Sequence, residues 1–393
     1  MSKSKLKTLI VIDNLHTGGV ATSLYNFIFF VNDLIDIHLL VFNEESIDYS
    51  KIPAAVHVIK PKKCLHILGK NHAEIRKESI FMMFYRLFMM FIARYINGVT
   101  SRKLLWPFIP RIGQYDIAIA YAQDDSYKSI SKGCIDYIIR KVDAGHRTVV
   151  VHCDYKNFGG YNSKQIKVFN KLDSILCVSQ SCVASFVDCF PSLRYKTHVL
   201  ENFTNVKDIR QKAFEGVKYP KDKVNFVSVC RLSDVKGLDR TIKVFAKLYK
   251  SGVTNFTWTI VGGGPKYASL MQLIECENIS SLITLVGNKE NPYPYLKNAS
   301  CFLLPSLHEA APMVYNEAAC LGIPILSTET CSAIELVQKR GYGIVVPNSD
   351  DAILEGLRDF IKNPLEVNIL PLGDKDINKY PYEQFKEFIK SIR

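Results

Sequence analysis

The chain has 393 residues, 48% of them hydrophobic, and no low-complexity segment, so a disordered or fibrous protein is excluded and two domains with sizeable cores are expected. Its formal net charge of +12 is concentrated between Lys51 and Arg111, where twelve Lys and Arg meet only two acids, Glu74 and Glu78; an anionic membrane surface, an anionic substrate or nucleic acid would each suit such a patch. Eleven scattered cysteines without a CxxC pair, and a start (MSKSKLK) that leads into too short an apolar run for a secretory core, argue against a disulfide frame or zinc site and for reduced thiols in the cytoplasm.

In chain order, Lys7–Asp13 (KTLIVID) reads as a buried strand, followed by a loop ending in Gly18-Gly19 and a helix from about Val20. That strand, turn and helix open a doubly wound α/β domain. Further strands are expected at Asp36–Phe42, Val56–Ile59, Asp116–Tyr121, Arg147–Val151, Ser174–Val178 and Thr197–Leu200, and their alternation with helical patterns implies a mainly parallel sheet. Ser79–Ile96 is intensely apolar and aromatic, with Arg86 near its middle. A central Arg argues against crossing a bilayer. The segment reads as a core helix or, given its basic flanks, as a helix lying on an anionic leaflet. Asp208–Asp222 is polar and basic with little apolar periodicity and is read as a linker.

A second alternating series starts at Val224, with strands at Val224–Cys230, Thr257–Val261, Ile283–Val286, Ser300–Leu304, Pro324–Ser327 and Gly343–Val346. Helices are expected at Leu238–Lys250, from Pro265, at Ala333–Arg340 and at Asp351–Lys362, and the tail Tyr382–Arg393 is helical in pattern. The expected domains are therefore 1–207, a linker 208–222, 223–375, and a C-terminal helix 376–393 that packs back on the first domain. Two such domains in series would form a cleft at the C-terminal ends of their strands.

The candidate chemistry falls at those strand ends. In SLHEAAPMVYNEAACLGIPI, Glu309 and Glu317 stand eight positions apart. With a helix starting near Met313, Glu309 lies in the preceding loop, Glu317 lies one turn inside, and the N–H groups of Met313, Val314 and Tyr315 lie between them, suited to an anion. Arg231 and Lys236 follow the strand Val224–Cys230 and would neutralise a diphosphate. VGGGP (Val261–Pro265) lets the backbone approach a ligand, but it is neither GxGxxG nor a P-loop. Gly18 and Gly19 could bind a phosphate or admit a sugar at the first helix, and His152, after the strand VVV, could hydrogen-bond a sugar hydroxyl, with Asp154 close by. His308 is a weaker candidate. No metal site is expected, since the only DxD, Asp374-Lys375-Asp376, lies late in a polar stretch.

Together these pieces resemble the family-4 retaining glycosyltransferases of the GT-B fold: Gly18-Gly19, His152, Arg231 with Lys236-Gly237, the VGGGP turn, and Glu309 with Glu317 as an EX7E pattern, in that order. The resemblance covers nearly the whole chain and is most specific from Val224 to Val346. It implies that the second domain binds a UDP- or GDP-linked sugar as co-substrate, with no other cofactor, and that the first binds the acceptor. By the same resemblance Arg231, Lys236 and the amides of Met313 and Val314 hold the diphosphate, and Glu317 takes the ribose. Glu309 contacts the donor sugar, Gly263 and Asn288 lie by the nucleotide, and His152 acts at the reaction centre. The expected activity is metal-independent, retaining hexosyl transfer to a lipid-linked or surface-polysaccharide acceptor, on the inner face of a membrane touched through Lys51–Arg111. A catalytically inactive partner or chaperone of the same fold is the alternative. Nucleic-acid binding is the weakest reading, because the basic patch lacks a recognisable module. Ala310-Ala311-Pro312 after Glu309 departs from the family's commoner Gly-Phe-Gly, and Asn202-Phe203-Thr204 from its Asn-Gly turn.

Overall fold

The structure is a computed structural model that describes residues 5–16, 18–214, 217–364 and 374–393, with side chains in the last helix described from Ile377. The chain divides into two compact units, Met1–Phe203 with Tyr380–Arg393, and Thr204–Lys379. Among the described residues, the first unit holds a seven-stranded parallel sheet. Its strands are β1 (Leu6–Ile12), β2 (Ile35–Val41), β3 (His57–Ile59), β4 (Ile112–Ala120), β5 (Val142–Val151), β6 (Ser174–Cys177) and β7 (Thr197–Val199), in the order β3-β2-β1-β4-β5-β6-β7. The second unit holds a six-stranded parallel sheet of β8 (Val224–Val229), β9 (Phe256–Val261), β10 (Ile283–Gly287), β11 (Cys301–Leu304), β12 (Ile325–Thr328) and β13 (Gly343–Val346), in the order β10-β9-β8-β11-β12-β13. Each strand expected from the sequence is present. Central strands such as β1, β9 and β11 are almost wholly buried, which is why they read as unbroken apolar runs.

The strand order reverses between β1 and β4 in the first unit and between β8 and β11 in the second. Crossover helices leave to opposite sides of the sheet there, so a crevice opens at the C-terminal strand ends. In the second unit one layer packs Phe226, Phe245, Trp258 and Phe360 on one face of the sheet. The other face is covered by Val314, Tyr315 and Ala318 from the helix Met313–Cys320.

One expectation is corrected and one open alternative is narrowed. The stretch read as a linker begins inside a helix, Val206–Lys212, whose Val206 and Ile209 are buried in the second unit's core. Two apolar residues one turn apart among charged ones sufficed to anchor it. Residues 215–216 of that stretch lie outside the described residues, as do 365–373. The helix Ile80–Tyr95 is not a core helix: Arg86, Met89 and Ala93 are its buried residues, and Phe81 is 84% exposed. The last helix, Asp374–Ile392, places Phe385 edge-on to Phe27 and Phe388 on His146 within the first unit.

Candidate active site

In the second unit the candidate residues gather around the β8/β11 reversal. After β8 the chain carries exposed Arg231, then Lys236, and turns through Gly237, whose left-handed φ of 61° starts the helix Leu238–Lys250. A side chain at Gly237 would strike the Pro305 carbonyl oxygen, so the β8 loop lies directly against the β11 loop. The backbone N–H of Leu307 donates to the carbonyl of Val235 at 2.8 Å. Lys236 Nζ then reaches Glu309 Oε1 at 2.5 Å, and Ser306 Oγ donates to the same oxygen at 2.6 Å. A charge-assisted bond this short fixes both the ammonium and the carboxylate. The pair is close enough to act on the Cys230 thiol, which burial pushes up to about 12.

The VGGGP turn closes a third side. A Cβ at Gly262 would meet the Cys230 carbonyl oxygen at 1.9 Å, and one at Gly264 the Leu232 oxygen at 2.3 Å, both at positive φ. Leu232 N–H donates to Gly263 O, and Gly262 N–H to Gly287 O, each at 2.9 Å. These bonds lace the loops after β8, β9 and β10 together and set Gly263 beside Asn288, 3.3 Å from the place its Cβ would occupy.

The helix Met313–Cys320 starts where the sequence places it, with Pro312 at its N-cap and no side chain capping it. One expected donor is spent internally, because Tyr315 N–H returns to the Pro312 carbonyl at 3.2 Å. Met313 and Val314 carry the remaining amides of the three. Glu317 is only 9% exposed and hydrogen-bonds with Tyr293. Burial raises its carboxyl to about 7, and the Tyr293 bond opposes that rise. His308 is exposed. Among the described residues no group of three or more His, Cys, Asp or Glu side chains gathers as a metal cage. The carboxylates of Asp374 and Asp376 lie outside the described side chains.

Two residues that sequence reasoning missed support the Glu309 loop from below. Asn348 Nδ2 donates to the carbonyls of Ser306 and Leu307 at 3.2 Å and of Glu329 at 3.1 Å. Arg240 donates to the Pro305 carbonyl at 2.9 Å and to Asn348 Oδ1 at 2.5 Å. No local pattern marks either, since their partners are distant in sequence.

In the first unit, Gly18 is extended and Gly19 opens the helix Gly19–Val31. A Cβ on Gly19 would meet nothing within 4 Å, so close packing does not require glycine there. His152 follows β5. Its N–H donates to Gln123 Oε1 at 2.9 Å, its ring hydrogen-bonds the Tyr121 backbone, and its Nε2 is buried without a partner. Burial, helped by Lys132, pushes the imidazole down to about 3, so it is neutral with Nε2 as acceptor. Asp154 does not serve His152; it accepts from Ser185 Oγ at 2.5 Å and from Asn157 Nδ2 at 2.7 Å. Beside this stand unanticipated groups. Asp13, at the end of β1, is buried and raised to about 6, with Lys132 drawing it down, and Lys132 pairs with Asp125 at 2.8 Å.

The family described as Glycosyl transferases group 1 matches residues 209–371. The chain is 33% identical over 264 residues to a putative colanic acid biosynthesis glycosyltransferase, WcaL, of Salmonella typhimurium, covering 64% of this chain and 61% of that one. It is 27% identical over 198 residues to the N-acetylgalactosamine-N,N'-diacetylbacillosaminyl-diphospho-undecaprenol 4-alpha-N-acetylgalactosaminyltransferase of Campylobacter jejuni, covering 50% and 53%. The match thus spans less than two thirds of either curated relative. In structure the chain is similar to Anabaena Alr3699/HepE in complex with UDP and glucose, with a TM-score of 0.63 at 14% identity over 98% of this chain and 99% of that one, a likeness of fold.

Proposed function

We propose that this chain is a retaining, metal-independent glycosyltransferase, a reading supported by the match of residues 209–371 to the family described as Glycosyl transferases group 1 and by the likeness of fold to HepE. It moves a hexose-type sugar from a UDP- or GDP-linked donor to a lipid-linked or surface-polysaccharide acceptor, as a peripheral protein on the inner face of the membrane. The observation that carries this reading is the Lys236–Glu309 pair seated at the β8/β11 reversal. Breaking a glycosyl–phosphate bond builds negative charge on the leaving diphosphate and positive charge on the sugar. Lys236, Arg231 and the amides of Met313 and Val314 receive the first, and the Glu309 carboxylate faces the second. Buried Glu317, neutral or charged near pH 7, takes ribose hydroxyls, and the unpartnered His152 Nε2 accepts from a sugar hydroxyl. The acceptor class follows the relatives, one acting in polysaccharide biosynthesis by its name and one on a diphospho-undecaprenol saccharide.

The test is donor turnover. UDP- and GDP-sugars are incubated with a diphospho-undecaprenol saccharide, with and without a chelator, and the product's anomeric configuration is read by NMR. Turnover that survives chelation and retains the α configuration is the expected result. Inversion, or loss on chelation, contradicts the mechanism. Donor binding without transfer to any acceptor supports the inactive partner instead.

A further inference from the structure

The helix Ile80–Tyr95 is built inside out. Its central Arg86 points inward, donating to the Ile67 carbonyl and, at 2.6 Å, to that of Lys70. Nη1 of the guanidinium takes both carbonyls, while its Nε is buried without a partner, so the inward turn of Arg86 is held by backbone carbonyls and not by a hydrogen-bonded carboxylate. Its outward face is a run of rings at helical spacing: Phe81, Phe84, Phe88, Phe91 and Tyr95 are 84%, 60%, 54%, 61% and 69% exposed. A surface helix normally shows water the opposite face. The strip continues past the helix. Tyr85 Oη donates to the Leu104 carbonyl at 2.9 Å, and exposed Leu104 and Phe108 extend the apolar surface. An apolar area of this extent marks an interaction site.

The charges around it choose the partner. Of the twelve bases from Lys51 to Arg111, three are spent inside the fold. Lys70 pairs with Glu45 and Glu78, Arg102 with Asp124 and Asp136, and Arg86 with the carbonyls. The other nine are exposed, among them Lys62, Lys63, Arg76, Lys77, Arg94 and Lys103. The acids do not offset them, because Glu78 is bound to His66 and Lys70, and Glu74 closes a capping box on Asn71. A second copy meeting this face symmetrically would bring like charges together. Nucleic acid would leave the rings in water. A bilayer with anionic headgroups accepts both halves at once, rings among the acyl chains and bases at the phosphates. Sixteen residues reach only about 24 Å, short of a span, and no described helix is long and apolar enough to cross a membrane.

We propose that the helix Ile80–Tyr95 docks this protein flat on an anionic bilayer, with its Phe and Tyr rings inserted and Arg76, Lys77, Arg94 and Lys103 at the headgroups. The proposal rests on the transferase reading only for its purpose, which is to hold the enzyme where a lipid-linked acceptor lies.

The test is co-sedimentation of the full chain with phosphatidylcholine vesicles, pure or containing about a third phosphatidylglycerol. Binding to the anionic vesicles is expected to be at least about tenfold tighter and to weaken with salt. The triple variant Phe84→Ser, Phe88→Ser, Phe91→Ser is expected to lose binding on the order of a hundredfold with its melting temperature kept, since the three rings touch solvent. The charge reversal Arg76→Glu, Lys77→Glu is expected to erase the preference for anionic lipid. Equal binding to both vesicles, or unchanged binding by the triple variant, overturns the proposal. So does a dimer seen by light scattering that the triple variant dissolves, which would assign the face to a second copy. Nucleotide-induced thermal stabilisation, measured without lipid on the same preparation, separates the two readings: stabilisation without vesicle binding ends the docking proposal alone, and vesicle binding without stabilisation ends the donor-site reading alone.

Discussion

The two sheet reversals hold opposite kinds of polar chemistry. At β8/β11 the charges are paired and braced: Lys236 sits on Glu309, Ser306 fills the same carboxylate oxygen, and Asn348 and Arg240 support the loop. At β1/β4 and the neighbouring end of β5, polar groups are buried with one acceptor left open: His152 Nε2 has no partner, while Asp13, which accepts from Asn14 Nδ2 at 2.6 Å, is raised to about 6 by desolvation. A braced, cationic site suits a diphosphate whose charge grows during reaction, because preorganised groups need not move as it leaves. Open acceptors suit hydroxyl groups, which bring their own donors.

Breaking the braced side should have the largest effect. The double variant Arg231→Ala, Lys236→Ala is expected to lose at least a hundredfold in kcat, about 3 kcal/mol of barrier, because on the proposed reading the diphosphate loses two cations and Glu309 loses its partner at once; steady-state release of nucleotide from the donor reads this. Gly262→Ala is expected to cost about 3 kcal/mol of stability in a denaturant titration, since the new Cβ meets the Cys230 carbonyl at positive φ. A drop within error there would show the three loops to be less tightly laced than the geometry implies.

Glu317 sharpens the contrast through pH. Its folded carboxyl is raised to about 7 from an ordinary value of 4.5, so the folded state holds the extra proton between those values. The stability it contributes is therefore complete below about pH 4.5 and is lost as pH rises toward 7, by about 3 kcal/mol in all. Glu317→Gln should flatten that part of the stability profile in melts taken from pH 5 to 8. His152 runs the other way. Its folded value of about 3 lies below the ordinary 6.5, so its contribution is complete above 6.5 and is lost as pH falls. In His152→Phe the melting temperature should decline less between pH 6 and 4 than in the wild type. The smallest effect is expected from Asn348→Ala, about 1 kcal/mol of stability with a several-fold loss in kcat, as the Ser306 and Leu307 carbonyls lose their donor.

The fold was legible wherever burial is two-sided, because a strand covered on both faces admits only apolar residues: LIVI in β1, TVVV in β5 and WTIV in β9 announce themselves. The positions of Lys236 and Glu309 in loops after strands, and of Glu317 one turn into a helix, were legible from the strand–loop–helix pattern. Contacts between distant residues were not. Nothing near Asn348 shows that it holds a loop forty residues earlier, and nothing near Asp13 announces Lys132. The helix Ile80–Tyr95 is apolar on nearly every side, so its sequence could not say which side faces out. The carbonyls of Ile67 and Lys70, by taking Arg86, decide it.

The central claim is that the β8/β11 loops bind the diphosphate of a nucleotide sugar. The most direct test is thermal stabilisation by UDP, GDP and ADP and their sugars, without added metal, on the wild type and on Arg231→Ala, Lys236→Ala. At a hundred times its dissociation constant, a ligand stabilises by about 2.7 kcal/mol. The account predicts a clear upward shift with one nucleotide and its sugar, abolished in the double variant. A flat response to every nucleotide, or a shift the double variant keeps, would contradict it.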